Sequence, residues 1–194
     1  MWQVADIECV IGIEFLTQQG NSIIWRQAGY HGYGIKAHGS LAIAQLHHAG
    51  MRSPQEEIGA QPICPSANEE TGARALTLQE VEQVAEDFIA AAQRCEQAGF
   101  DGAELHGAHG YLLCQFLSDT INRREDRYGG SLENRSRIIF DIVDAIRERC
   151  RPDFVVGVRL SPERFDIKLG EILQLAQRLM HAGNIDFLDM SLWD

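Results

Sequence analysis

Three residue types that can donate hydrogen bonds or exchange protons stand close together in "LHGAHGYLLCQFLS", residues 105–118: His106, His109 and Tyr111. Gly107 and Gly110 break the stretch, so the three side chains fall where the backbone turns. Neighbouring imidazoles can bind a metal, relay a proton or donate two hydrogen bonds to one oxygen. These residues alone do not choose among the three chemistries.

The elements around them say more. "TLQEVEQVAEDFIAAAQRCEQAG" opens with Thr77 and carries Glu80 three residues later, a capping box. Val81, Val84, Phe88, Ala91 and Cys95 follow at helical spacing, and Gly99 suits the stop. "FDGAELHG" reads as a strand. "SLENRSRIIFDIVDAIRERC" reads as a helix capped by Ser131, and "DFVVGVRLS" as a strand covered on both faces. "GEILQLAQRLMHAG" is a further amphipathic helix, "IDFLDMSL" another strand, and upstream "GSLAIAQLHHAG" a strand ending near His47. This alternation predicts α/β architecture around a parallel sheet. Either a (β/α)8 barrel or a doubly wound sheet satisfies it; no G-x-G-x-x-G follows a strand, which weakens the dinucleotide-binding version. "VADIECVIGIEFLTQQG" reads as strand or helix. Residues 51–76 form a long Pro- and Gly-rich excursion.

In parallel α/β folds ligands gather beyond the carboxyl ends of the strands. Those ends bring together Gln45, His47 and His48, then His106, His109 and Tyr111, then Arg159 and Ser161, and last Ser191. Three histidine ligands and an open position would suit a hydrolytic zinc ion, and His47, His106 and His109 keep that alternative. Arg159 at the neighbouring strand end argues against it, and no metal is expected.

The totals exclude several classes. A net charge of −11, with no lysine or arginine block, argues against nucleic acid or an anionic membrane surface as partner. No apolar run is long enough to span a bilayer, and no secretory signal is visible. Five cysteines, at 9, 64, 95, 114 and 150, include no C-x-x-C pair, so a reduced cytoplasmic setting is expected over a disulfide framework.

"GFDGAELHGAHGYLLCQFLS" followed by "NRREDRYGGSLENRSR" resembles the signature of the Old Yellow Enzyme family of FMN-dependent NAD(P)H oxidoreductases. "AQLHHAGMRSP" is similar to that family's third-strand motif and "VVGVRLSP" to its fifth-strand motif. The resemblance implies a (β/α)8 barrel with FMN at the carboxyl rim and NADH or NADPH as reductant. It gives His106 and His109 the role of donors to the carbonyl or nitro oxygen of an electron-poor alkene. Tyr111 becomes the proton donor to the adjacent carbon, a role a phenol with a pKa near ~10 can fill at neutral pH. Arg159 would stand beside the N1/C2 carbonyl edge of the flavin, and Gln45, donor and acceptor at once, would meet its imide edge. Clustered Asn122, Arg123, Asp126 and Arg135 in "NRREDRYGGSLENR" are expected to hold a long loop in shape by side-chain hydrogen bonds.

The resemblance runs from about Ile35 to the end of the chain. It divides the sequence into a poorly matching segment, 1–34, and a partial (β/α)8-barrel flavin oxidoreductase domain, 35–194. Four secure strands are similar to the family's third to sixth, and nothing matches its phosphate-holding last two. The expectation is a chain truncated at both ends of the family pattern, a piece of a longer enzyme. The alternatives are a non-catalytic half-barrel that acts only in an oligomer, a homo-oligomer among them, and the metal-dependent hydrolase.

Overall fold

A computed structural model describes the backbone of residues 10–15 and the whole of residues 33–192. Its main sheet is made of β1 (Val10–Phe15), β2 (Ile43–His47), β5 (Gly102–Gly107), β6 (Val155–Leu160) and β7 (Phe187–Met190). All neighbours run parallel, in the order β1-β2-β5-β6-β7. Spatial order follows chain order without reversal. A doubly wound sheet reverses direction at its switch point, so the topology is that of consecutive barrel strands.

Three long helices cross between these strands: α2 (Leu78–Gln97), α4 (Leu132–Arg149) and α5 (Leu169–Ala182). The start of α2 is the capping box expected from its sequence. Thr77 Oγ1 accepts from the Glu80 backbone N–H at 3.2 Å, and Glu80 accepts from the Thr77 N–H at 2.8 Å. Ser131 caps α4 by accepting from the Asn134 N–H at 3.3 Å. On the helix side of the sheet Leu46, Leu105, Val156, Val158 and Leu160 meet Val81, Phe88, Ile138, Ile142, Ile172 and Leu175 in one buried core. Strand side chains alternate between faces. Gln45, His47, Glu104, His106 and Arg159 therefore share the opposite face, away from the helices.

Three features add to the sequence reading. The N-terminal stretch that reads as strand or helix is the strand β1, paired with β2; the segments flanking it, 1–9 and 16–32, lie outside the described residues. Within the excursion at 51–76 stand a helical turn, α1 (Gln55–Ile58), and a two-residue strand pair, β3 (Ile63–Cys64) and β4 (Arg74–Ala75). Beyond β5 comes α3 (Leu112–Leu117), a short helix with all six residues buried.

The loop at 118–131 clasps this excursion. Asn122 Nδ2 donates to the carbonyls of Phe116 and Tyr128, both at 2.8 Å. Arg123 Nη2 donates to Ala67 O at 2.7 Å and Arg124 Nη1 to Pro65 O at 2.7 Å, while Arg135 reaches the carbonyls of Gly130 and Leu117 and the Glu171 carboxylate. Asn122, Arg123 and Arg135 thus satisfy loop backbone, the shape-holding role expected of them, as does Asp126 by accepting from the Tyr128 N–H at 3.0 Å; Arg124 adds to it. Cys64, Cys95, Cys114 and Cys150 are buried free thiols; Cys9 lies outside the described residues. No helix among the described residues is long and apolar enough to cross a membrane.

Candidate active site at the carboxyl rim of the sheet

Strand register brings the rim residues together. His106 pairs across the backbone with Arg159, and Arg159 with Asp189; two residues lower, Gln45 pairs with Glu104. The rings at the rim form a cluster. His47 and Tyr111 stack with centroids 4.3 Å apart and 29° between planes. His106 meets His109 edge-on at 4.8 Å, Tyr111 at 5.2 Å and His47 at 5.7 Å. His47 and His106 are buried, whereas His109 and Tyr111 are half-exposed at the mouth.

Local backbone geometry sets these positions. The loop after β5 is stitched to the loop after β2 by the Leu112 N–H donating to His48 O at 2.9 Å. Gln115, wholly buried, adds a second stitch: its amide donates to Gly110 O at 2.8 Å and accepts from the Met51 N–H at 3.2 Å. His109 adopts a left-handed conformation, φ 59°, unusual for a residue with a Cβ. Its N–H donates to Ser161 Oγ at 3.0 Å, and Arg52 Nη1 donates to its carbonyl at 2.6 Å. Gly110, φ 70°, lets the loop after β6 approach: a Cβ there would lie 3.0 Å from the Phe165 ring. Arg52 also sits over the Tyr111 ring, 5.2 Å from its centroid.

Burial controls the charges. Desolvation lowers the pKa of His47 to about 4, helped by the nearby His48, and that of His106 to about 3, helped by His109, His47 and Arg159. His109 is also lowered, first by burial and then by Arg159. The histidines are therefore neutral near pH 7, each offering one N–H donor and one acceptor nitrogen. Nδ1 of His106 is buried with no hydrogen-bond partner among the described residues, and a buried polar atom left so calls for a ligand or water. Arg159 forms an ion pair through Nε with Asp189 at 2.9 Å and donates through Nη2 to Ser191 Oγ at 3.2 Å. The same Oγ lies 2.6 Å from His109 Nε2. Burial raises the Glu104 carboxyl, the partner of Gln45. Among the described residues no three His, Cys, Asp or Glu side chains are arranged to hold a metal ion, so the zinc alternative finds no support in the geometry.

The rim thus offers neutral hydrogen-bond donors, a half-exposed phenol and two cations, Arg52 and Arg159. Residues 33–192 match the model of the NADH:flavin oxidoreductase / NADH oxidase family. The chain belongs to this family. It is 43% identical over 168 residues to the NADH-dependent flavin oxidoreductase nadA of Aspergillus parasiticus, covering 80% of this chain and 37% of that protein. It is 39% identical over 164 residues to an NADPH dehydrogenase of Geobacillus, covering 81% and 46%. The solved Old Yellow Enzyme homologue of Zymomonas mobilis superposes with a TM-score of 0.82 at 28% identity, covering 92% of this chain and 58% of that one. The chain spans less than half the length of those curated relatives, and its fold is part of their (β/α)8 barrel.

The cofactor of this flavin oxidoreductase family is FMN, with NADH or NADPH as reductant, and the rim suits it. Gln45 offers a donor and an acceptor, Arg159 a planar guanidinium with several N–H donors, and the unpartnered Nδ1 of buried His106 a place for a further polar group. All five residues expected at the site, Gln45, His106, His109, Tyr111 and Arg159, stand at this rim. His47 and Ser191, also expected at the strand ends, hold Tyr111 and His109; the sequence does not point to Asp189 against Arg159, Arg52 against Tyr111, or Phe165 beside His109. Arg52 lies inside the "HHAGMRSP" motif, which was the one available signal.

Proposed function

We propose that residues 35–194 form a partial (β/α)8-barrel domain of an FMN-dependent oxidoreductase that passes hydride from NADH or NADPH to an α,β-unsaturated carbonyl or nitro compound. The observation that carries this reading is the cluster of His106, His109 and Tyr111 beside Arg159, with both imidazoles kept neutral by their surroundings. When bound, FMN supplies the hydride chemistry that no side chain can. Gln45 and Arg159 hold and polarise the edge of its ring. His106 and His109 each donate an N–H to the acceptor's oxygen, where negative charge grows as the alkene is reduced. Neutral rings suit this task, because donation needs no prior protonation. Tyr111 delivers its phenolic proton to the carbon next to the carbonyl or nitro group.

The buried free thiols support a reducing, cytoplasmic setting. A second reading is a non-catalytic half-barrel working only in an oligomer. One experiment separates the two. The purified chain is passed over a sizing column with and without added FMN, and visible absorbance is followed with the protein. Co-eluting flavin that NADH or NADPH bleaches and an enone restores supports the oxidoreductase. A colourless, stable oligomer that ignores FMN overturns it.

A further inference from the structure

Below the histidines lies a buried carboxyl, that of Glu104, for which the reaction just described has no use. Glu104 is 1% exposed and Gln45 4%, on adjacent strands in direct register. Gln45 donates through Nε2 to Glu104 Oε2. A buried carboxyl opposes folding, and here its hydrogen-bond partner is a neutral amide rather than a cation. Stability alone therefore does not account for it.

We propose that Glu104 is the positioning residue that decides which end of the Gln45 amide is presented to the cofactor. A carboxylate only accepts, so it takes the amide nitrogen and leaves the amide oxygen free as an acceptor for an imide N–H. A protonated Glu104 can instead donate to the amide oxygen, turning the amide over so that the nitrogen is presented. One buried proton thus sets whether the rim shows the ring an acceptor or a donor. Burial favours the protonated acid, and Asp189 on β7 pushes the same way; Gln45 on β2 and Arg159 on β6 favour the carboxylate. His47 and His106, one pleat further along β2 and β5, are neutral and add no fixed charge.

This inference rests on Gln45 meeting the flavin edge, so its test has one arm that needs no flavin. In the isotope-labelled chain, the side-chain NH2 signals of Gln45 are identified by their loss in Gln45→Leu and followed by NMR against pH. They should titrate with a midpoint above the ordinary carboxylate range, and in Glu104→Gln the titration should vanish. Fluorescence titration with FMN should then show about tenfold weaker binding for Glu104→Gln, the loss expected when one buried hydrogen bond is misdirected. Circular dichroism on both variants verifies the fold. Gln45 signals that titrate identically in Glu104→Gln overturn the proposal, as does FMN affinity unchanged by that substitution. Wild-type protein that takes up no FMN overturns the cofactor reading instead, and the amide signals still decide whether Glu104 holds Gln45.

Discussion

The Tyr111 ring lies stacked on the His47 imidazole, 4.3 Å between centroids, with the Arg52 guanidinium 5.2 Å from the ring centre. A phenol whose ring is restrained by two contacts keeps its orientation, as a proton donor must. Tyr111→Phe keeps both partners and removes only the hydroxyl. Alkene reduction should slow by about a hundredfold or more, while reduction of the flavin by NADH or NADPH stays nearly unchanged. Rapid-mixing measurement of the two half-reactions checks this, and equal losses in both would contradict the proton-donor role.

His106 contributes through a hydrogen bond rather than through charge. His106→Ala should weaken binding of phenolic or carbonyl ligands by about tenfold or more, the worth of one hydrogen bond to a charge-bearing oxygen. Ligand titration of the flavin spectrum reads the effect. Unchanged affinity would count against the paired-donor arrangement with His109.

Acid should unfold the chain through its histidines. His47, His48 and His106 are neutral in the folded protein because burial holds them at about 4, about 4 and about 3. In the unfolded chain they take protons near the ordinary value of about 6.5. Their stabilising contribution is therefore complete above that value and is lost as pH falls toward the folded values. Each costs about 1.4 kcal/mol per pH unit across its window. Thermal unfolding between neutral pH and pH 4 should show this fall, with a shallower slope in His106→Gln.

Gly50 occupies a left-handed conformation, φ 61°, where a Cβ would stand 2.3 Å from Gln115 Oε1. Gln115 cannot simply move aside, because its amide joins Met51, Ala49 and Gly110. Gly50→Ala should cost about 2 kcal/mol or more from backbone strain and broken stitches combined. Chemical denaturation measures the loss, and a Gln115→Ala background should recover part of it.

Legibility in the sequence tracks how local each signal is. The helix from Leu78 is readable because Thr77 and Glu80 mark its start and one face stays polar. The helix at Leu112–Leu117 is not, because all six residues are buried and no polar side gives it a period. The strands at Ile63 and Arg74 are two residues each, too short for alternation to show. Val10–Phe15 lacks the caps and turn residues that separate strand from helix. At the site, His106, His109 and Tyr111 stand in one block and are read together. The meeting of His109 with Ser191 joins residues 82 positions apart, and spacing cannot announce it. Asp189 reads as an unremarkable strand residue until register sets it across from Arg159.

Because the strands lie in the order in which the chain makes them, each leans chiefly on its immediate neighbours, as links do in a stacked array. His47, His106 and the backbone of Arg159 sit on β2, β5 and β6, each paired on both sides among the described residues. Asp189 and Ser191 belong to β7 and the residue following it. The rim is therefore shared between strands: β2 and β5 carry the side chains that orient an acceptor, and β7 carries those that restrain Arg159 and His109. Whatever holds β7 against β6 also sharpens the chemistry one strand away.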